Sequence, residues 1–168
     1  MRFEIERKFL VAHEGWRADV VGQRLLRDGL VGHFAGGKVR VRIAEGRGWL
    51  TVKGERKGLA RAEFEYEIPG ADAEAMLTEV CEPCLIEKTR HCVPHAGVNW
   101  EVDVYGGALS GMVLAEIELR DEGQAVERPD WLGTEVTHDP RFRQSTMLRL
   151  SREAGRNITL AEVLAARF

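Results

Sequence analysis

Cysteine is scarce in this chain: there are three, an odd number. They supply no disulfide framework, which excludes the stapled, loop-rich fold of a small secreted domain. Charge of one sign is lacking too. Lys and Arg number 24 against 27 Asp and Glu, for a net charge of −3 and a pI near 6.0. That balance argues against a general nucleic-acid or membrane-surface binder, while leaving room for a local basic pocket. No apolar run approaches the ~20 residues of a membrane-spanning helix. Arg2, Glu4, Glu6, Arg7 and Lys8 break up any N-terminal apolar segment, so no signal peptide is expected and the cytoplasm is the expected compartment. Internal repeats, low-complexity stretches and a proline-rich linker are absent as well. The 44% hydrophobic share over 168 residues suffices for one domain with a buried core.

What the chain does have is alternation. Period two marks strands at 3–11, 38–44, 48–53, 62–68, 85–93, 99–105 and 113–120, with a short eighth at 135–137. Turn-formers separate them, among them Gly36-Gly37, Glu45-Gly46, Gly54, Pro69-Gly70 and Gly106-Gly107. Helical signals are fewer. Residues 14–26 place Trp16, Val20 and Leu25 roughly on one helical face. Asp72 is positioned to cap a helix over 73–80, and Asp139-Pro140 reads as a cap followed by proline at the first helical position. Thr159 and Glu162 have capping-box spacing ahead of an amphipathic stretch ending at Phe168. Strands dominate. The expected fold is α+β and predominantly antiparallel, a barrel with helices packed outside.

The polar positions of these strands are unusual. Residues two apart share a face, so Glu4, Glu6 and Lys8 lie together, as do Lys38, Arg40 and Arg42. The same rule groups Thr51 with Lys53, Glu63 with Glu65 and Glu67, Lys88 with Arg90, Glu101 with Asp103, and Glu116 with Glu118. A solvated sheet face explains any one strand taken alone. It does not explain the set, because like charges in register repel and solvated faces intersperse their signs. Crowded carboxylates suit a divalent cation with oxygen ligands, such as Mg²⁺ or Mn²⁺. Clustered Arg and Lys suit a polyanion. A site with both suits a metal–polyphosphate complex.

In this order the strands resemble the CYTH superfamily, the triphosphate tunnel metalloenzymes, over about residues 1–150. The resemblance rests on Glu4-x-Glu6-x-Lys8, Val39-Arg40-Val41-Arg42, Leu50-Thr51-Val52-Lys53-Gly54, the segment from Arg61 to Ile68, Glu87-Lys88-Thr89-Arg90, Trp100 to Val104, Ala115 to Leu119, and Trp131 to Thr137. It implies about eight antiparallel strands closed into a tunnel, with 151–168 as a helical tail of the same domain. It implies Lys8, Arg40, Arg42, Lys53, Lys88 and Arg90 as triphosphate ligands and Glu4, Glu6, Glu116 and Glu118 as metal ligands, with Glu63, Glu65 and Asp103 as further candidates. Glu4, Glu6 and Lys8 form the expected catalytic strand. Arg56 and Arg61 are expected to be solvated. The implied activity is Mg²⁺- or Mn²⁺-assisted hydrolysis of inorganic triphosphate to pyrophosphate and phosphate. Hydrolysis of thiamine or nucleoside triphosphate, a class IV adenylyl cyclase and non-catalytic polyphosphate or nucleotide binding are the alternatives. The expected partner is a triphosphate, with no nucleic acid or membrane, and a homodimer is the expected assembly.

Two features depart from or compete with this reading. Close bacterial members of the family carry Gln-Gly-Tyr-Leu where this chain has Asp28-Gly29-Leu30-Val31. The tyrosine, a proposed proton acceptor, is therefore missing at Leu30; Tyr66 and Tyr105 lie elsewhere, and His33 is the nearby titratable group. Cys81, Cys84, Cys92 and His95 have zinc-like spacing within each pair. The register of the intervening strand, which carries Lys88 and Arg90, argues against their convergence.

Overall fold

A computed structural model describes residues 3–167. Eight strands form the barrel: β1 (Phe3–Val11), β2 (Gly22–Phe34), β3 (Gly37–Ala44), β4 (Arg47–Lys53), β5 (Ala60–Ile68), β6 (Ile86–His95), β7 (Val98–Tyr105) and β8 (Val113–Glu118). Their lateral order is β5-β4-β3-β2-β6-β7-β8-β1, and β1 also pairs with β5, which closes the sheet. Every pairing is antiparallel. Closure turns on β1, whose residues Phe3 to Ile5 pair with β5 while Glu6 to Leu10 pair with β8. A ninth strand, β9 (Leu132–Glu135), adds to the far half of β1. The helices are α1 (Gly70–Glu79), α2 (Gln144–Ala154) and α3 (Leu160–Ala165). Among the described residues no helix is long and apolar enough to cross a membrane.

The eighth barrel strand is not the one expected. Residues 135–137 do not supply it; β9 is an accessory strand that stops at Glu135. The barrel strand is β2, within a region whose first half reads as helical in the sequence. Only Glu14–Asp19 is helical there, as a 3-10 turn. Trp16 is fully buried against His91, with ring centroids 5.0 Å apart, whereas Leu25 is 60% exposed on β2. The residues that suggested one helical face therefore share none. β2 is held by hydrogen bonding along both edges, to β3 and β6, which outweighs local preference.

The helix ends also differ in detail. α1 begins at Gly70 with Pro69 before it, so Asp72 sits in the first turn rather than capping; a carboxylate there still complements the positive end of the helix. Asp139 accepts from the Arg141 amide as expected, yet it caps only a 3-10 turn over Pro140–Phe142. α2 follows separately and runs across residues 150 and 151. The Thr159–Glu162 capping box forms, and α3 ends at Ala165. The expected end of that stretch, Phe168, lies outside the described residues.

The apolar packing lies mostly on the outer face of the barrel. Phe9, Trp100, Val102, Ala115 and Ile117 point outward and pack with Trp16 and Trp131. Val41 and Ile43 pack under Ala73 and Leu77 of α1. At one end the inner faces of β7 and β8 turn apolar, and Tyr105 and Leu114 pack with Phe142, Met147, Ile158 and Val163. Strands covered outside by helices and loops need no apolar lining, which leaves the interior free for charge.

Candidate functional site

The barrel encloses a cavity of about 1050 Å³. Period two places its lining. Glu4, Glu6 and Lys8 enter from β1, Lys38, Arg40 and Arg42 from β3, Lys53 from β4, and Glu63 and Glu65 from β5. Lys88 and Arg90 enter from β6, Glu101 from β7, and Glu116 and Glu118 from β8. The structure thus gathers on one wall the expected phosphate ligands and most of the expected metal ligands, from residues as far apart as Glu4 and Glu118.

Asp103 is the exception. It is fully buried and does not line the cavity. Its carboxylate accepts from Lys88 Nζ at 2.5 Å and from Arg90 Nε at 2.7 Å, so it aims two cations from behind instead of facing a metal. Arg56 and Arg61 correct the expectation in the other direction. Both line the cavity: Arg56 donates to Glu6 at 2.6 Å, and Arg61 pairs with Glu4. The loop before β5 carries Arg56, which a strand pattern does not reveal, while Arg61 shares the face of Glu63 and Glu65 because β5 begins at Ala60, two residues before the expected start at 62.

Asp28 and Arg24 have no counterpart among the sequence candidates, because β2 does not read as a barrel strand in the sequence. Asp28 is 3% exposed and accepts from Arg42 Nε and Nη2 at 2.6 and 2.8 Å. Arg40 Nη1 lies 3.6 Å from the same carboxylate. Arg24 reaches the cavity and pairs with Glu101 at 3.4 Å. The period-two run Arg24, Leu26, Asp28 was the available signal, since a buried acid on a strand bearing inward cations implies a counter-charge.

Most of the wall cations are thus held by carboxylates. Lys53 Nζ donates to Glu4 at 2.7 Å and lies 3.2 Å from Glu63. Lys8 Nζ lies 2.9 Å from Glu116, which also accepts from Arg90 at 2.6 Å. Burial raises the Glu4 carboxyl, but Lys53 and Arg61 outweigh it and hold the group well below the usual carboxylate range. Burial likewise opposes ionisation of Glu116, and Lys8, Lys88 and Arg90 overcome it. Burial weakens the Lys8 ammonium, while Glu116 more than compensates and raises it. Among the described cations that line the cavity, Arg40 carries a buried donor, Nε, with no partner. A low-dielectric donor without an acceptor is costly, and an anion in the cavity would satisfy it.

The carboxylates also fit a hard divalent cation in their donor type. Glu6 stands directly opposite Glu118 in register, and Glu101 opposite Glu116. Among the described residues Glu118 makes no ion pair; burial, then Glu4, Glu101 and Glu6, push its carboxyl upward against a smaller pull from Lys53. Uncompensated oxygen ligands of this kind favour Mg²⁺ or Mn²⁺ over softer metals. Glu4 and Glu6 are turned to Lys53, Arg56 and Arg61, and among the described residues no three acidic, His or Cys side chains stand in metal-holding geometry. Cys81, Cys84 and Cys92 are free thiols.

Leu30 lines a smaller adjoining cavity of about 50 Å³, so no phenol stands at that position. His33 is exposed on the main cavity wall. Tyr105 is buried, its ring centroid 5.6 Å from Lys88 Nζ, and Tyr66 is 59% exposed.

Comparison with known proteins agrees with this geometry. Residues 2–152 match the CYTH domain. The chain is 42% identical over 146 residues to an inorganic triphosphatase of Acetivibrio thermocellus, covering 87% of this chain and 93% of that one. It is 37% identical over 151 residues to an inorganic triphosphatase of Nitrosomonas europaea, covering 86% and 95%. The crystal structure of the inorganic triphosphatase NE1496 superposes with a TM-score of 0.63 at 32% identity, over 88% of this chain and 95% of that one. The chain belongs to the CYTH domain family.

Proposed function

We propose that the cavity binds inorganic triphosphate with Mg²⁺ or Mn²⁺ and hydrolyses it to pyrophosphate and phosphate. The observation that carries this reading is a closed wall bearing both charges, with an unsatisfied buried donor on Arg40. Likeness to the two inorganic triphosphatases supports the substrate. The free thiols support a reducing, cytoplasmic compartment.

In this reading Lys8, Arg40, Arg42, Lys53, Lys88 and Arg90 hold the phosphate oxygens. Asp28 and Asp103 fix the aim of the Arg42, Lys88 and Arg90 head groups. Glu4, Glu6, Glu116 and Glu118 hold the divalent cation, with Glu63 and Glu65 as neighbouring carboxylates. The bound cation supplies charge neutralisation and polarises phosphate oxygen. A water oxygen bonds to the terminal phosphorus and loses a proton to solvent, the bridging P–O bond breaks, and pyrophosphate leaves with the electron pair. The cations stabilise charge developing on the leaving group.

The test is phosphate release from tripolyphosphate with added metal, beside thiamine triphosphate and ATP. Wild-type protein is expected to release phosphate from tripolyphosphate fastest and to make no cyclic AMP. Glu4→Gln, Glu6→Gln and Lys8→Ala are each expected to lower the rate by roughly 30- to 1000-fold, the cost of about 2–4 kcal/mol of transition-state stabilisation. Wild-type rates in all three would refute the assignment.

A further inference from the structure

Lys38 differs from the other inward-facing lysines. Lys8, Lys53 and Lys88 each have a carboxylate oxygen at 2.9, 2.7 and 2.5 Å respectively. Lys38 makes no ion pair with any described residue. It is partly buried and lines both the main cavity and the smaller one, which also share Arg40, Gln144 and Ser145.

The groups around it explain its isolation. Lys53 opposes it on β4 and His33 on β2. Arg40 stands two residues along β3, and Arg61 and Lys8 act on it from β5 and β1. Asp28, which lines the smaller cavity, is already engaged by Arg40 and Arg42. Glu55 lines the main cavity, Glu82 the smaller one with Arg149 and Arg152, and neither acid pairs with Lys38. Leu30 contributes only hydrocarbon there. Burial, then Arg61, Arg40, Lys53 and Lys8, lowers the Lys38 ammonium to about 7. Beside it is the unsatisfied Arg40 Nε. Two neighbouring groups on β3 thus lack the same thing, an anion.

We propose that Lys38 is a further phosphate-binding residue of the tunnel, and that it takes up a proton as the polyanion binds. This rests on the triphosphate-binding reading above. The other lysines must exchange a carboxylate for phosphate, whereas Lys38 gains a counter-charge outright. The proton comes from solvent and bonds to the Lys38 amine nitrogen.

Titration calorimetry with sodium tripolyphosphate tests this, at about pH 8 with divalent metal chelated to prevent turnover, in two buffers of different ionisation heat. The unaltered protein is expected to take up more protons than Lys38→Met, with an affinity about ten-fold tighter or more. Lys38→Arg is expected to keep the affinity but lose the extra proton uptake, because guanidinium stays charged. Protonation of tripolyphosphate itself is common to all three and cancels.

Thermal melting of the free proteins checks folding and sign together. The folded-state value of Lys38 lies below its unfolded value, so its charge opposes folding below about pH 7 and ceases to do so as pH rises toward 10.5. Lys38→Met is therefore expected to melt above wild type near pH 6, with the gap closing in alkali. Equal affinity and equal proton uptake in wild type and Lys38→Met would overturn the proposal while leaving the triphosphate reading intact. No binding by the unaltered protein would overturn both.

Discussion

Two acidic residues predict opposite outcomes when neutralised. Asp28 lies buried between Arg40 and Arg42, whose charges hold its carboxyl well below the usual range against the effect of burial. Asp28→Asn removes the counter-charge of two largely buried cations, and stripping one partner from such a cluster costs about 3 kcal/mol or more. Urea denaturation should show that loss, and added tripolyphosphate should restore part of it by supplying negative charge to the same guanidinium groups. Glu118 stands opposite Glu6 in register and makes no ion pair with any described residue, and burial and neighbouring carboxylates push its carboxyl upward. Glu118→Gln should leave the metal-free protein more stable in the same assay, and should raise the concentration of Mg²⁺ or Mn²⁺ needed for hydrolysis. A loss of metal-free stability would mean that Glu118 has a counter-charge in solution.

Strands with one apolar and one charged face were readable from spacing alone, which is why β1, β3, β4, β5, β6, β7 and β8 agree closely with expectation. β2 was not readable because its register is dictated by neighbours on both sides and its outer face leaves Leu25 beside water. Losing β2 also cost Arg24 and Asp28. Arg56 and Arg61 escaped for a different reason: Arg56 lies in a loop without a strand pattern, and β5 begins at Ala60, ahead of the expected 62, which puts Arg61 on the face of Glu63 and Glu65. The seat of α1 was equally hidden. A Cβ on Gly48 would lie 2.5 Å from Ala73 Cβ, and one on Gly29 would meet Leu77 and Cys81 at 2.5 and 2.6 Å. These glycines are needed for close approach rather than for backbone freedom. Gly48→Ala is expected to push α1 off the sheet and cost about 1–3 kcal/mol, read from the denaturation midpoint. A midpoint equal to wild type would mean that α1 shifts without penalty.

For the molecule as a whole, the apolar cores sit largely outside the barrel, so the barrel's interior is held in large part by ion pairs. That makes the free protein sensitive to acid in a defined window. Glu4, Asp28 and Glu116 are all held below their unfolded values, which are 4.5 for Glu and 3.8 for Asp. Groups shifted in this direction stabilise the fold fully above the unfolded value and lose that contribution as pH falls toward the folded one. Lys38 adds no slope here, being protonated in both states below about pH 5. The melting temperature is therefore expected to drop steeply below about pH 4. Combining Asp28→Asn with Glu116→Gln should flatten the acid limb while lowering the plateau, since the protons that drive it no longer have those two carboxylates to bind. An acid limb as steep in the double variant as in wild type would place the acid-labile groups outside the barrel, among surface pairs such as Arg7 with Glu135 or Arg141 with Asp139.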